Sequence, residues 1–296
     1  METAFTRLVG CQIPLQQAGM GGAAGAELAV AVADSGALGM LGLAGLPRGM
    51  VTGLVEQVAS STSGMFGANF LIPFLDRDAV VGAAATARVV EFFYGDPDAS
   101  LVSLVHEQGA LACWQVGSLG EAVAARDAGC DIVVAQGCEA GGHVRGEVGL
   151  LPLLDQVLGE LDLPVVAAGG IGGPRALAAV LAAGAAGARI GTRFAAADEA
   201  DTHEDYAKAL VVAEPEDTQV TTTFSVGWPG APHRVLRSSI DSANASSEET
   251  VGEVGFPGGG RVEVPRLSVM SPGRRATGNI AAMALYAGQS VGLVRS

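Results

Sequence analysis

The residues best equipped for chemistry lie in the run Gln136-Gly137-Cys138-Glu139-Ala140-Gly141-Gly142-His143. It sets one imidazole on a glycine-rich loop, and histidine is the side chain whose ordinary pKa, about 6.5, falls nearest neutral pH. Such a ring can exchange protons with a substrate or hydrogen-bond an anionic one. Cys138 shares the loop but is a poor candidate nucleophile, because the neighbouring Glu139 raises a thiol pKa rather than lowering it. His106, His203 and His233 have no metal-ligand spacing, and no H-x-x-H or paired-carboxylate motif occurs. The pattern points away from metal-dependent chemistry.

A second group is built for anions. Pro164-Val165-Val166-Ala167-Ala168-Gly169-Gly170-Ile171-Gly172-Gly173-Pro174-Arg175 reads as strand, glycine loop and helix start. Glycines let backbone N–H groups approach a phosphate closely, proline suits the first helical position, and a helix N-terminus favours negative charge. Gly191-Thr192-Arg193 then offers a further small turn, a hydroxyl and a cation.

These loops must be held by a scaffold, and the chain supplies a repeating one. Short apolar runs at 12–17, 38–43, 65–71, 89–94, 111–116, 132–136, 165–168 and 188–190 read as eight strands. Ala-rich stretches such as 121–128 and 175–183 read as the helices between them. Strands with no polar alternate face require cover on both sides, as in a parallel sheet wrapped by crossover helices. Eight such units predict an α/β chain folded as a (β/α)8 TIM barrel, with an open doubly wound sheet as the alternative. Phosphate sites in such barrels are commonly built from the loops after strands seven and eight, which are the two glycine turns above. The first turn, 19–24, fits a G-x-G-x-x-A pattern, but residues 38–45 hold no acidic side chain for a dinucleotide ribose.

Beyond residue 198 the rhythm stops. The tail reads as a helix near 205–213, a β-like run at 219–226, a flexible excursion or lid at 242–260, and an apolar helix over 279–294 that packs back on the barrel. Residues 1–296 are therefore expected to form one domain, with a barrel core at about 1–200 and a loop-rich, helical C-terminal extension at about 201–296. Trp228 and Tyr286 in this tail read first as packing anchors and second as walls of the site.

Composition narrows the function. The formal charge of −14 disfavours nucleic acid and other polyanionic partners. Apolar residues make up 49% of the chain, enough for a large core, and 43 glycines imply many tight turns. Cys11, Cys113, Cys130 and Cys138 show no pairing pattern, which suits reduced thiols in a cytoplasm. Neither a signal peptide nor a transmembrane helix is expected.

Taken in order, Gln17 to Met20, Gly67 to Phe70, Gln136 to His143, Ala167 to Ile171, Gly191 to Phe194 and Tyr286 to Ser290 resemble the nitronate monooxygenases, formerly 2-nitropropane dioxygenases. The resemblance spans nearly the whole chain and implies an FMN-dependent TIM-barrel enzyme. It implies that Ala18, Gly19 and Met20 lie against the flavin ring, and that Asn69 and Gln136 hydrogen-bond the ring or ribityl chain. Gly141 would approach the flavin, while Gly170, Gly191 and Thr192 hold its phosphate; His143 falls on the family's catalytic histidine. Gly19 stands where the family usually has proline, and Arg189 where an uncharged residue is common. The implied reaction oxidises alkyl nitronates or nitroalkanes with O2 to carbonyl compounds and nitrite, without a nicotinamide.

The same motifs also resemble flavin-dependent enoyl-acyl-carrier-protein reductases, and NAD(P)H:quinone reduction or a flavin carrier without turnover are further alternatives. An acyl-carrier-protein partner needs a basic docking face, for which Arg234, Arg237, Arg261, Arg266, Arg274 and Arg275 are the candidates. A homodimer is compatible with all of these readings.

Overall fold

A computed structural model describes residues 1–255 and 260–294. Its strands are β1 (Leu15–Gln17), β2 (Gly39–Gly42), β3 (Phe66–Leu71), β4 (Val89–Phe93), β5 (Leu111–Val116), β6 (Ile132–Gln136) and β7 (Gly142–His143). They continue with β8 (Val165–Ala168), β9 (Gly187–Ile190), β10 (Thr218–Thr221), β11 (His233–Leu236), β12 (Thr250–Gly255), β13 (Arg261–Pro265) and β14 (Thr277–Gly278). Eight of them form one parallel sheet in the order β1-β9-β8-β6-β5-β4-β3-β2. A parallel bridge between Gln16 and Leu38 brings its two ends together, so the sheet curls into a (β/α)8 barrel. The eight apolar runs expected from the sequence are these eight strands, within three residues at each end.

The strands are buried from both sides, so their side chains are mostly apolar, with buried polar residues such as Gln16, Asn69, Glu91 and Arg189 set among them. One face packs under the helices through Val90, Phe92, Trp114, Val133 and Ala167. The other fills the lower barrel with Met40, Val89, Cys113, Ile132, Val134 and Val166, stoppered by Phe5 and Val9 of the short helix Ala4–Val9. Arg88 fixes that stopper by donating to the carbonyls of Leu8 and Val9. Side-chain caps start the helices Arg77–Ala84, Ala99–His106 and Leu119–Asp127, from Asp76, Asp98 and Ser118 respectively. No helix among the described residues is long and apolar enough to cross a membrane.

The tail differs from expectation. Helix Glu204–Val212 lies close to its expected place, whereas strand β10 covers only the start of the run expected at 219–226. The expected excursion at 242–260 instead contains the end of helix Arg237–Ala245 and strand β12, which pairs antiparallel with β13. Residues 256–259 of that stretch lie outside the described residues. The segment 279–294 packs back as expected but is not a helix: it carries two 3-10 turns, Ile280–Ala282 and Val291–Leu293, joined by non-helical chain. The cause is its hydrogen bonding to other elements, as Leu285 O and Ala287 N bond the backbone of Leu236 and Arg234 rather than a helical turn.

Candidate active site

The glycine turn after β8 folds as its sequence demands. Gly169 and Gly170 hold φ of +105° and +69°, a region that side chains with a Cβ enter only at a cost. Helix Pro174–Ala182 begins four residues later with proline in its first turn. On the neighbouring strand β9, Gly191 and Thr192 open the short helix Thr192–Ala195. Both turns face one cavity of about 570 Å³ at the C-terminal end of the barrel. Ala18, Gly19, Met20, Asn69, Gln136, Gly141, His143, Gly170, Gly191 and Thr192 all line it, so the structure brings together every site residue expected from the sequence.

The loop carrying His143 is anchored by residues whose roles were not legible. Glu139 turns its carboxylate onto the backbone N of Leu150, capping helix Leu150–Glu160, while its carbonyl accepts from Gln289 N. Buried Arg234 reaches the Cys138 carbonyl through Nε and Nη2 and Thr218 through Nη1. Gly142 and His143 form an edge strand on β11, with His143 opposite His233. Gly141 is pressed against the backbone of Ala287 and Gly288, leaving no room for a Cβ. Thr192 Oγ1 in turn accepts from Gly288 N at 2.9 Å.

His143 sits in an aromatic nest. Its ring stacks on Trp228 at a centroid distance of 4.1 Å, with Tyr286 at 5.6 Å and Tyr94 at 5.8 Å. Tyr94 holds a φ of +64°, unusual for a residue with a Cβ and characteristic of over-determined sites. Burial, seconded by nearby His233, lowers the His143 pKa to about 3. Of the two states left open by the sequence, the imidazolium is therefore disfavoured, and the ring is neutral at pH 7. Its buried Nε2 has no hydrogen-bond partner. His233, by contrast, accepts from Phe224 N through Nε2 and faces the Ala231 carbonyl with Nδ1, so both its nitrogens are engaged in holding the tail.

Other sequence candidates are relieved of chemical roles. Burial and then Glu139 raise the Cys138 pKa, the direction opposite to nucleophile activation. Arg193 does not face the phosphate turns freely but donates to the carbonyls of Gly172 and Leu293, tying rim to tail. Of the candidate docking arginines, Arg234 is buried, Arg237 bonds Gln219, Arg261 pairs with Glu253, and Arg274 bonds the carbonyls of Asp198 and Ala200. Trp228 and Tyr286 line the cavity as well as anchoring the tail, so the packing reading was incomplete.

A nitronate monooxygenase family model matches residues 2–296. The chain belongs to the nitronate monooxygenase family. Among curated relatives, a (3aS,4S,5R,7aS)-5-hydroxy-7a-methyl-1-oxo-octahydro-1H-indene-4-carboxyl-CoA dehydrogenase of Rhodococcus jostii is 34% identical over 242 residues, covering 81% of this chain and 67% of the relative. Among solved structures, FabK from Thermotoga maritima superposes with a TM-score of 0.80 at 29% identity, over 99% of this chain and 91% of that one. A nitroalkane oxidase from Streptomyces ansochromogenes gives 0.77 at 28% identity, over 99% and 93%. The nitronate monooxygenase family and these neighbours are oxidoreductases, and the barrel found here is theirs.

Proposed function

We propose that this chain is a single-domain FMN-dependent oxidoreductase that oxidises nitroalkanes and their nitronates with O2 to carbonyl compounds and nitrite. The observation that carries the reading is the neutral, unpartnered Nε2 of His143 beside a cavity that also contains two glycine turns suited to a phosphate. The residues present fit FMN. Gly170 has little around it, its nearest neighbour for an added Cβ being Glu139 at 3.4 Å, so a phosphate could approach its backbone, and Gly191 and Thr192 line the same cavity. Gln136 and Gln115 each keep a buried Oε1 without a partner at the cavity, acceptors suited to the imide N–H of a flavin ring. Ala18, Gly19, Met20 and Asn69 would line the ring and Gly141 would approach it.

When bound, FMN supplies the electron acceptor. The chain's own part is to hold the substrate and manage its proton. A carbon acid such as a nitroalkane loses its α-proton to the unprotonated nitrogen of a neutral imidazole, and the unpartnered Nε2 of His143 is the atom that would take it. Trp228, Phe74 and Phe93 give the cavity an apolar wall that excludes water from the substrate's alkyl part.

A second reading is dehydrogenation of an acyl thioester, also a carbon acid. It is favoured by the 34% identity to the Rhodococcus jostii CoA-ester dehydrogenase and opposed by a net charge of −14 against a polyanionic substrate. The test is to supply propyl nitronate, nitroethane and an acyl-CoA separately to yellow, FMN-loaded protein in air. Nitrite release from the first two is expected; bleaching by acyl-CoA alone would transfer the assignment to the second reading.

A further inference from the structure

A guanidinium inside a barrel is costly unless something requires it, and Arg189 is only 7% exposed. It sits on β9 two residues before Gly191, with Gln16 as its register partner. Arg189 Nη1 donates to Glu91 Oε1. Glu91 is fully buried and also accepts from Gln16 Nε2 at 2.8 Å and Asn69 Nδ2 at 2.7 Å. With Cys113 Sγ at 3.9 Å as well, the carboxylate is satisfied by donors from four strands. The guanidinium is not: among the described residues only its Nη1 has a hydrogen-bond partner. Arg189 lines the cavity and Glu91 does not, so the two charges are layered with the cation toward the ligand and the anion behind it. Gln115 and Gln136, each with a buried Oε1 that has no hydrogen-bond partner, also belong to the lining of that cavity.

A cation in a cavity that also holds unpaired acceptors complements a ring edge on which carbonyl oxygens gather negative charge beside an N–H donor. The pyrimidine part of a flavin has that pattern and becomes more negative on reduction. We propose that Arg189, anchored by Glu91, faces the pyrimidine edge of bound FMN and makes it a stronger electron acceptor. This rests on the FMN reading above. A purely structural ion pair predicts that removing either charge merely loosens the barrel; the electrostatic role predicts that removing the anion and removing both charges act in opposite directions.

The experiment compares FMN-loaded wild type, Glu91→Gln and Glu91→Gln/Arg189→Gln. Two quantities are read: the flavin midpoint potential, and the dissociation constant of sulfite. Sulfite adds reversibly at flavin N5, its electron pair leaving negative charge on the N1–C2=O edge. Glu91→Gln is expected to tighten sulfite binding about tenfold and raise the two-electron potential correspondingly, by about 30 mV. The double variant is expected to bind sulfite at least about tenfold more weakly than wild type. Should Glu91→Gln not fold, Arg189→Lys, which keeps the charge, is expected to stay within threefold of wild type while the double variant falls. Loaded variants with unchanged sulfite affinity and potential, or both moving in one direction, overturn the proposal alone. Wild-type protein that takes up no FMN overturns it together with the cofactor assignment.

Discussion

The barrel and the tail divide the site between them in different ways. The barrel contributes backbone: glycine turns after β8 and β9, and strand ends whose carbonyls and amides are fixed by parallel pairing. The tail contributes surroundings: β11 pairs with Gly142 and His143, Trp228 stacks on the imidazole, and Gly288 closes behind Gly141. One region offers glycine turns of the kind that suit an anion, and the other packs Trp228 and Tyr286 about the His143 ring. An imidazole on an exposed barrel loop would titrate near its ordinary value; burial, to which the tail contributes Trp228 and Tyr286 and the barrel Tyr94, lowers that of His143.

The largest expected effect tests the chemistry on which both regions converge. Replacing His143 by Asn should reduce turnover by about 10²–10⁴-fold, the usual worth of a positioned acid–base group, while the protein stays yellow. Steady-state kinetics with flavin content measured in parallel checks this, and an active, flavin-loaded variant would refute the role.

The seam between the regions comes next. Gly141→Ala would drive a Cβ into the backbone of Ala287 and Gly288, costing roughly 1–3 kcal/mol as overpacking does. Thermal unfolding should show a lower Tm, and a variant as stable as wild type would mean that barrel and tail are not packed as described.

A third test separates the tail's electrostatic part from its packing. The His143 pKa is held at about 3 chiefly by burial, so the acid limb of kcat/KM should lie far below pH 6. Trp228→Ala, by letting water reach the ring, should move that limb upward toward the ordinary histidine value. The sign for stability follows: because the folded-state pKa is lowered, unfolded chains take up the proton first, and stability is lost as pH falls from about 6.5 toward about 3. A limb that stays put in Trp228→Ala would assign the desolvation elsewhere.

The smallest effect belongs to the cradle. Gly170→Ala has space for its methyl but must adopt a φ of +69°, a strain of about 1–2 kcal/mol. FMN affinity measured by fluorescence should fall about tenfold with little change in kcat for the loaded enzyme.

These regions also differed in how readable they were. The barrel strands announce themselves because burial on both faces demands unbroken apolar runs such as Val89–Phe93, and glycine at positive φ after a strand has few other uses. Glu91 inside that run is the exception: it reads as an interruption until Arg189, 98 positions away, is brought beside it. The tail's strands are short and half-exposed, as in the Thr218–Thr221 and Arg261–Pro265 segments, so their pattern is set by partners distant in sequence rather than by local alternation. Trp228 and Arg234 act through contacts with residues about 85 and 96 positions earlier, and no local spacing encodes such a meeting. The Glu139 cap could have been suspected, since helix Leu150–Glu160 starts after a glycine that has no side chain to offer.

The stopper formed by Phe5 and Val9 at the lower end of the barrel has a corollary. With side chains filling the barrel above it, nothing can cross the molecule from below, and whatever occupies the cavity must arrive from the opposite rim.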